Sequence, residues 1–113
     1  MRVEVTEESV AVLLSRWQKV VGLMGDIRVP RAEVGDVRIV EDPVREAMEA
    51  GLKAGLRLPW LCYIARTIRL DQAFIVRRGV PGLSFAVDGE RNLRRVLVST
   101  HEADELARRL HAR

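Results

Sequence analysis

Ser99-Thr100-His101-Glu102-Ala103-Asp104-Glu105-Leu106-Ala107-Arg108-Arg109-Leu110-His111-Ala112-Arg113 is the stretch on which the fold class turns. Ala103, Leu106, Ala107 and Leu110 recur at i, i+3, i+4 and i+7, one apolar stripe of an amphipathic helix. Ser99 and Glu102 have the spacing of a capping box, which would satisfy two orphan N–H groups. Asp104 and Glu105 early, and Arg108, Arg109 and Arg113 late, suit the helix macrodipole. The pattern predicts a helix over 100–113.

Upstream, the period is mostly two. Arg2–Val5 alternates, and Ser9–Ser15 reads as a strand buried on both sides, set off by the polar turn Thr6-Glu7-Glu8. Trp17–Met24 suggests a helical turn that Gly25-Asp26 breaks. Ile27–Pro30 is short and extended, since Pro30 lacks a ladder donor. Further strands are expected at about 35–41, 62–69, 73–78, 83–88 and 93–98. Leu70-Asp71-Gln72 would connect two of them, Val80-Pro81-Gly82-Leu83 would form a type II turn, and Asp88-Gly89-Glu90 a hairpin connection. Residues 41–48 read as helical or turn-like. Gly51 and Gly55 argue against a long helix and leave 49–59 as loop. No repeat or linker composition divides the chain, so one α+β domain, mostly antiparallel β, is expected over 1–113.

The chain has 113 residues, 48% hydrophobic and 31% charged, the composition of a globular protein. Folding should bury roughly 65% of the unfolded surface. Aromatics are only 4%, so Val, Leu, Ile and Ala must build the core. The acidic, alternating start does not read as a signal peptide, and the longest apolar run, 58–65, is far below the ~20 residues of a membrane span. With one cysteine, Cys62, no intramolecular disulfide can form, and a cytoplasmic location is expected. The pI is near 9.7 but the net charge only +3, and Lys19 and Lys53 are the only lysines. An arginine skew of that kind follows more simply from a GC-rich genome than from selection for phosphate binding.

Asp26–Val34, Gly55–Pro59, Phe74–Pro81 and Leu97–Thr100 with the closing helix together resemble the small bacterial pleckstrin-homology-like proteins. The likeness covers about residues 25–111. It implies two roughly orthogonal antiparallel sheets packed into an open barrel and capped by the C-terminal helix. It carries no catalytic residues or cofactor, and implies an interaction or assembly module. Relatives of the fold often bind phosphoinositides through basic residues on the first strand pair. Here that loop is Thr6-Glu7-Glu8-Ser9, which would repel an inositol phosphate. The family pattern has a glycine after the proline matched by Pro59, whereas this chain continues Trp60-Leu61-Cys62-Tyr63.

Chemistry-bearing clusters are sparse. His101 and Glu105 stand at i, i+4, close enough to ligate a metal, but His111 is too far along to join them. Cys62 has no adjacent histidine or basic residue to activate it and reads as a core thiol. No nucleophile elbow, dinucleotide fingerprint or Walker sequence is present. No catalysis and no cofactor are therefore expected. The doublets Arg77-Arg78 and Arg94-Arg95 could share one stripe if their strands pair, yet aromatic interleaving for base stacking is missing and nucleic acid is disfavoured.

The most suggestive segment is 52–63. Leu52, Leu56, Leu58, Trp60 and Leu61 surround Lys53 and Arg57 in a stretch read as loop, and exposed apolar clusters with Trp mark partner surfaces. The expectation is a non-catalytic module that self-associates, or binds another protein, through these residues. The alternative is a peripheral membrane or anionic-ligand module using Arg16, Trp17, Lys19, Arg77 and Arg94.

Overall fold

Short polar turns fold the start of the chain into a three-stranded antiparallel sheet. The computed structural model describes residues 1–69, 71–89 and 92–111. β1 (Arg2–Val5) pairs with β2 (Ser9–Leu13), which pairs with β3 (Ile27–Pro30), while α1 (Arg16–Gly22) bridges β2 and β3. After a single 3₁₀ turn at Arg31–Glu33 come β4 (Val34–Val40), α2 (Pro43–Glu49), β5 (Lys53–Leu58), β6 (Cys62–Thr67), β7 (Gln72–Arg77), β8 (Gly82–Val87), β9 (Arg95–Ser99) and α3 (Ala103–His111).

β4 to β9 form one six-stranded sheet of order β4-β8-β9-β7-β6-β5. β5, β6 and β7 follow one another as an antiparallel meander. β8 then leaves a gap that β9 fills, antiparallel to β8 and parallel to β7. Val96, Leu97 and Val98 in this central strand are fully buried. The structure is thus α+β and mostly antiparallel, with two sheets and a C-terminal helix. The two sheets do not join into a barrel, and the parallel pair departs from the wholly antiparallel sheets that the family likeness implies.

Cross-strand partners share a face, so the register sorts the side chains. One face of the large sheet offers Leu83, Phe85, Val96 and Val98 to Val10, Val12 and Val29 of the small sheet and to Leu106, Ala107 and Leu110 of α3. The opposite face carries Tyr63, Phe74, Val76 and Leu97 beneath Val44 and Ala47 of α2. Polar groups pin α2 there: Glu46 accepts from Arg38 of β4 at 2.6 Å and from Arg95 of β9, whose Nε donates to Ser84 at 3.1 Å.

Several local expectations are corrected. Residues 53–58 are a strand, not loop. The α3 stripe is buried as expected, but Ser99 does not cap the helix. It continues β9, and its Oγ donates to Val80 O and accepts from Arg77 N. The capping box belongs to α1, where Ser15 Oγ accepts from Gln18 N at 3.2 Å and Gln18 Oε1 accepts from Ser15 N at 3.0 Å. The left-handed residue of the β7–β8 turn is Gly79 rather than Gly82, which opens β8. Leu70, Glu90 and Arg113, assigned from sequence to connections and to the helix end, lie outside the described residues.

Candidate functional site

α1 is short, and its seating decides what it displays. Gly22 presses on β6, where a Cβ would lie 2.6 Å from Ile64 Cγ2 and 3.0 Å from Ile64 O. Across from it Gly55, at φ +124°, has no room for a Cβ either, with Ile64 O at 2.6 Å and Gly22 O at 3.0 Å. Val21 packs partly against the core, which turns Trp17, Val20 and Leu23 outward. Leu23, 72% exposed, ends the helix in the left-handed conformation at φ +54°. Its N–H reaches Val20 O, and Met24 N–H reaches Lys19 O, a Schellman-type close that normally takes glycine.

The β5–β6 connection repeats this choice. Leu61 N donates to Leu58 O at 2.9 Å across Pro59-Trp60. Proline fixes a negative φ at the first central position and Trp60 has φ +69° at the second, the geometry of a type II turn in which glycine is the unstrained residue. Trp60 is 64% exposed and Leu61 is also exposed. Leu61 O accepts from Arg78 N at 2.7 Å, which ties this tip to the β7–β8 turn.

Trp17 and Cys62 line one cavity of about 170 Å³ with Ile64, Ile75 and Arg77. Leu58 is the cross-strand partner of Cys62, and Arg77 flanks Cys62 on its other side. The structure therefore brings together residues that sequence reasoning assigned to rival surfaces: Leu58, Trp60 and Leu61 with Trp17 and Arg77, while Arg16 opens α1 and Lys19 turns round the helix toward Asp26. Leu56 is partly buried against the core, and Leu52 projects at the far end of β5 beside Ile68, whose N–H binds Leu52 O at 3.0 Å. Arg94 is also distant. Because β7 and β9 run parallel, Arg94 sits by Asp71 at the start of β7 and Arg77 at its end, about 17 Å along the strand. The two arginine doublets thus form no common stripe. Val20 and Leu23 were missed, although their i, i+3, i+6 spacing from Trp17 was visible once the helix is drawn.

Charge around the face is one-sided. Arg16, Arg57, Arg77 and Arg78 make no ion pair among the described residues. Lys19 lies 3.5 Å from Asp26, whose carboxyl is held below its ordinary range first by the Leu14 N–H at 2.8 Å and then by Lys19. Lys53 points the other way. It is 5% exposed under α2, with Nζ donating to Gly51 O and lying 5.3 Å and 5.6 Å from the Tyr63 and Phe74 ring centroids. Burial pushes its pKa down, and Arg57 adds to that.

His101 precedes α3 instead of sharing it with Glu105, and Glu105 pairs with Arg109 at 3.0 Å. Among the described residues no three His, Cys, Asp or Glu side chains converge as a metal set. No helix among them is long and apolar enough to cross a membrane. No protein-family model, curated protein or solved structure matches the chain.

Proposed function

We propose that the protein is a non-catalytic interaction module that docks a partner on the face made by α1 and the β5–β6 tip. The observation that carries the reading is Trp60, a large apolar side chain held in water at φ +69°. The left-handed conformation costs a non-glycine residue about 1–2 kcal/mol, and strain of this kind persists where a site needs the side chain. The unpaired Cys62 supports a cytoplasmic setting. Strands followed by one closing helix support the pleckstrin-homology-like reading, and the inserted parallel strand weighs against it.

The outer strands of the large sheet offer little for self-association by strand addition. β4 carries a register shift between Gly35 and Arg38, and β5 turns Lys53 inward, two devices that blunt sheet edges. A second reading, peripheral contact with an anionic membrane, draws on the same two exposed tryptophans beside unpaired arginines.

The test is Trp60→Gly. If Trp60 is kept for contact, the variant keeps or raises its thermal midpoint, gaining up to about 1 kcal/mol, and loses any association that light scattering detects in the parent. A lowered midpoint assigns Trp60 to the fold and removes the reading.

A further inference from the structure

The docking face contains a recess the size of one side chain. Its surface is almost wholly apolar, with Trp17, Cys62, Ile64, Ile75 and Val76 on its walls beside Arg77 and Ser99. Its volume, about 170 Å³, is close to that of apolar cavities known to hold a benzene-sized group, about 150 Å³. Interfaces gain most of their affinity where one bulky side chain enters such a pocket and water is excluded around it.

The rim is cationic. Arg77 lies on the cavity wall, Arg78 is bonded through its backbone to Leu61 at the tip, and Arg16 precedes Trp17. The sequence has no Asp or Glu from 50 to 70 or from 72 to 87. Of the carboxylates near this end, Asp26 is engaged by Lys19 and Leu14, and Glu102 lies beyond Arg77 in an adjoining cavity of about 300 Å³ shared with His101. Two copies meeting face to face across a two-fold axis would set these arginines against one another. A bilayer would use the charge but has no use for a recess of this size.

We infer that the cavity between Trp17 and Cys62 is the anchor pocket for an acidic protein segment. One bulky apolar side chain enters it while flanking carboxylates meet Arg77, Arg78 and Arg16. The inference rests on the docking reading above and adds the chemistry of the partner. Affinity comes from the buried anchor. The exposed arginines set orientation and association rate, and their part weakens with salt.

Cys62 is the only cysteine and lines the recess, so its rate of modification by a thiol reagent reports on this site alone. The probe is a capped pentapeptide of phenylalanine with two aspartates on each side. It should slow modification saturably at millimolar concentration, less so at high salt. Peptides with glycine for phenylalanine, or lysines for the aspartates, should leave the rate unchanged. Arg77→Gln, at an exposed position, should weaken protection several-fold with an unchanged thermal midpoint. Equal protection by the lysine peptide, or none by the acidic one, overturns the inference. Protection by phosphatidylglycerol vesicles alone moves the face to a membrane, and protection that grows with protein concentration moves it to a second copy. Either result overturns the acidic-segment inference and leaves the docking face standing. That face falls separately, through a destabilised Trp60→Gly.

Discussion

Gly22 and Ile64 touch so closely that a Cβ on Gly22 would stand 2.6 Å from Ile64 Cγ2. The contact fixes the height of α1 above β6 and, through it, the position of Trp17 over Cys62. Gly22→Ala should therefore lift the helix, costing about 1–3 kcal/mol as an overpacked contact. It should also open the recess, so that urea denaturation shows lower stability and Cys62 reacts faster with thiol reagents. A variant with parental stability and reactivity would show that the helix is not held by this contact.

Leu23 occupies the left-handed close of α1 and is 72% exposed. Leu23→Gly should stabilise the protein by about 1 kcal/mol, since the side chain contributes little burial and glycine relieves the backbone. Differential scanning calorimetry would register this as a rise in the midpoint. A fall would mean that Leu23 packs in solution more than its exposure indicates.

Glu46 joins Arg38 and Arg95 over the outer sheet face, with the Glu46 and Arg95 side chains only 24% and 22% exposed. Glu46→Ala leaves a largely buried guanidinium without its carboxylate and should cost about 2 kcal/mol. Glu46→Ala combined with Arg95→Met should recover part of that loss. The double-mutant cycle measures the coupling, and additive losses would deny it.

Lys53 has a lowered pKa in the fold, chiefly from burial. The unfolded chain then holds this proton to higher pH than the folded one, so stability should climb as pH rises through the folded-state pKa toward 10.5. Lys53→Met should abolish that climb and raise stability at neutral pH. It also removes the inward charge from an outer strand and should raise the tendency to aggregate. Denaturant midpoints between neutral pH and pH 10 test the first effect and light scattering the second.

Much of the strand pattern was legible because alternation and burial act locally. β1, β2, β3, β4, β6, β7, β8 and β9 fall within a residue or two of their expected places. β5 was hidden by Gly55, which reads as a breaker but sits inside a strand where the β6 backbone at Ile64 and Ala65, and then Gly22 O of α1, leave no space for a Cβ. Two serines with capping-box spacing competed, and pairing decided between them: Ser99 is opposite Gly82 in a ladder, whereas Ser15 follows the end of β2. The site was legible only in pieces. Trp17 and Cys62 are 45 positions apart, and nothing local says that α1 will lie along β6. The parallel pairing of β7 with β9, which separates Arg77 from Arg94, is likewise a decision of the whole sheet.

The placement of β9 has a consequence for synthesis. A nascent chain emerges from the ribosome N-terminus first, so β7 and β8 are made before the strand that belongs between them. Until Ser99 has left the exit tunnel, β7 and β8 can pair along one edge only, with β6 and β4, and their facing edges have no strand between them. The small sheet and the β5–β7 meander can form earlier from local pairings. The large sheet has to wait and then assemble from distant parts, which makes the last step the slow one. In that interval the facing edges of two apolar strands stay open together, and a chaperone has its moment to hold them.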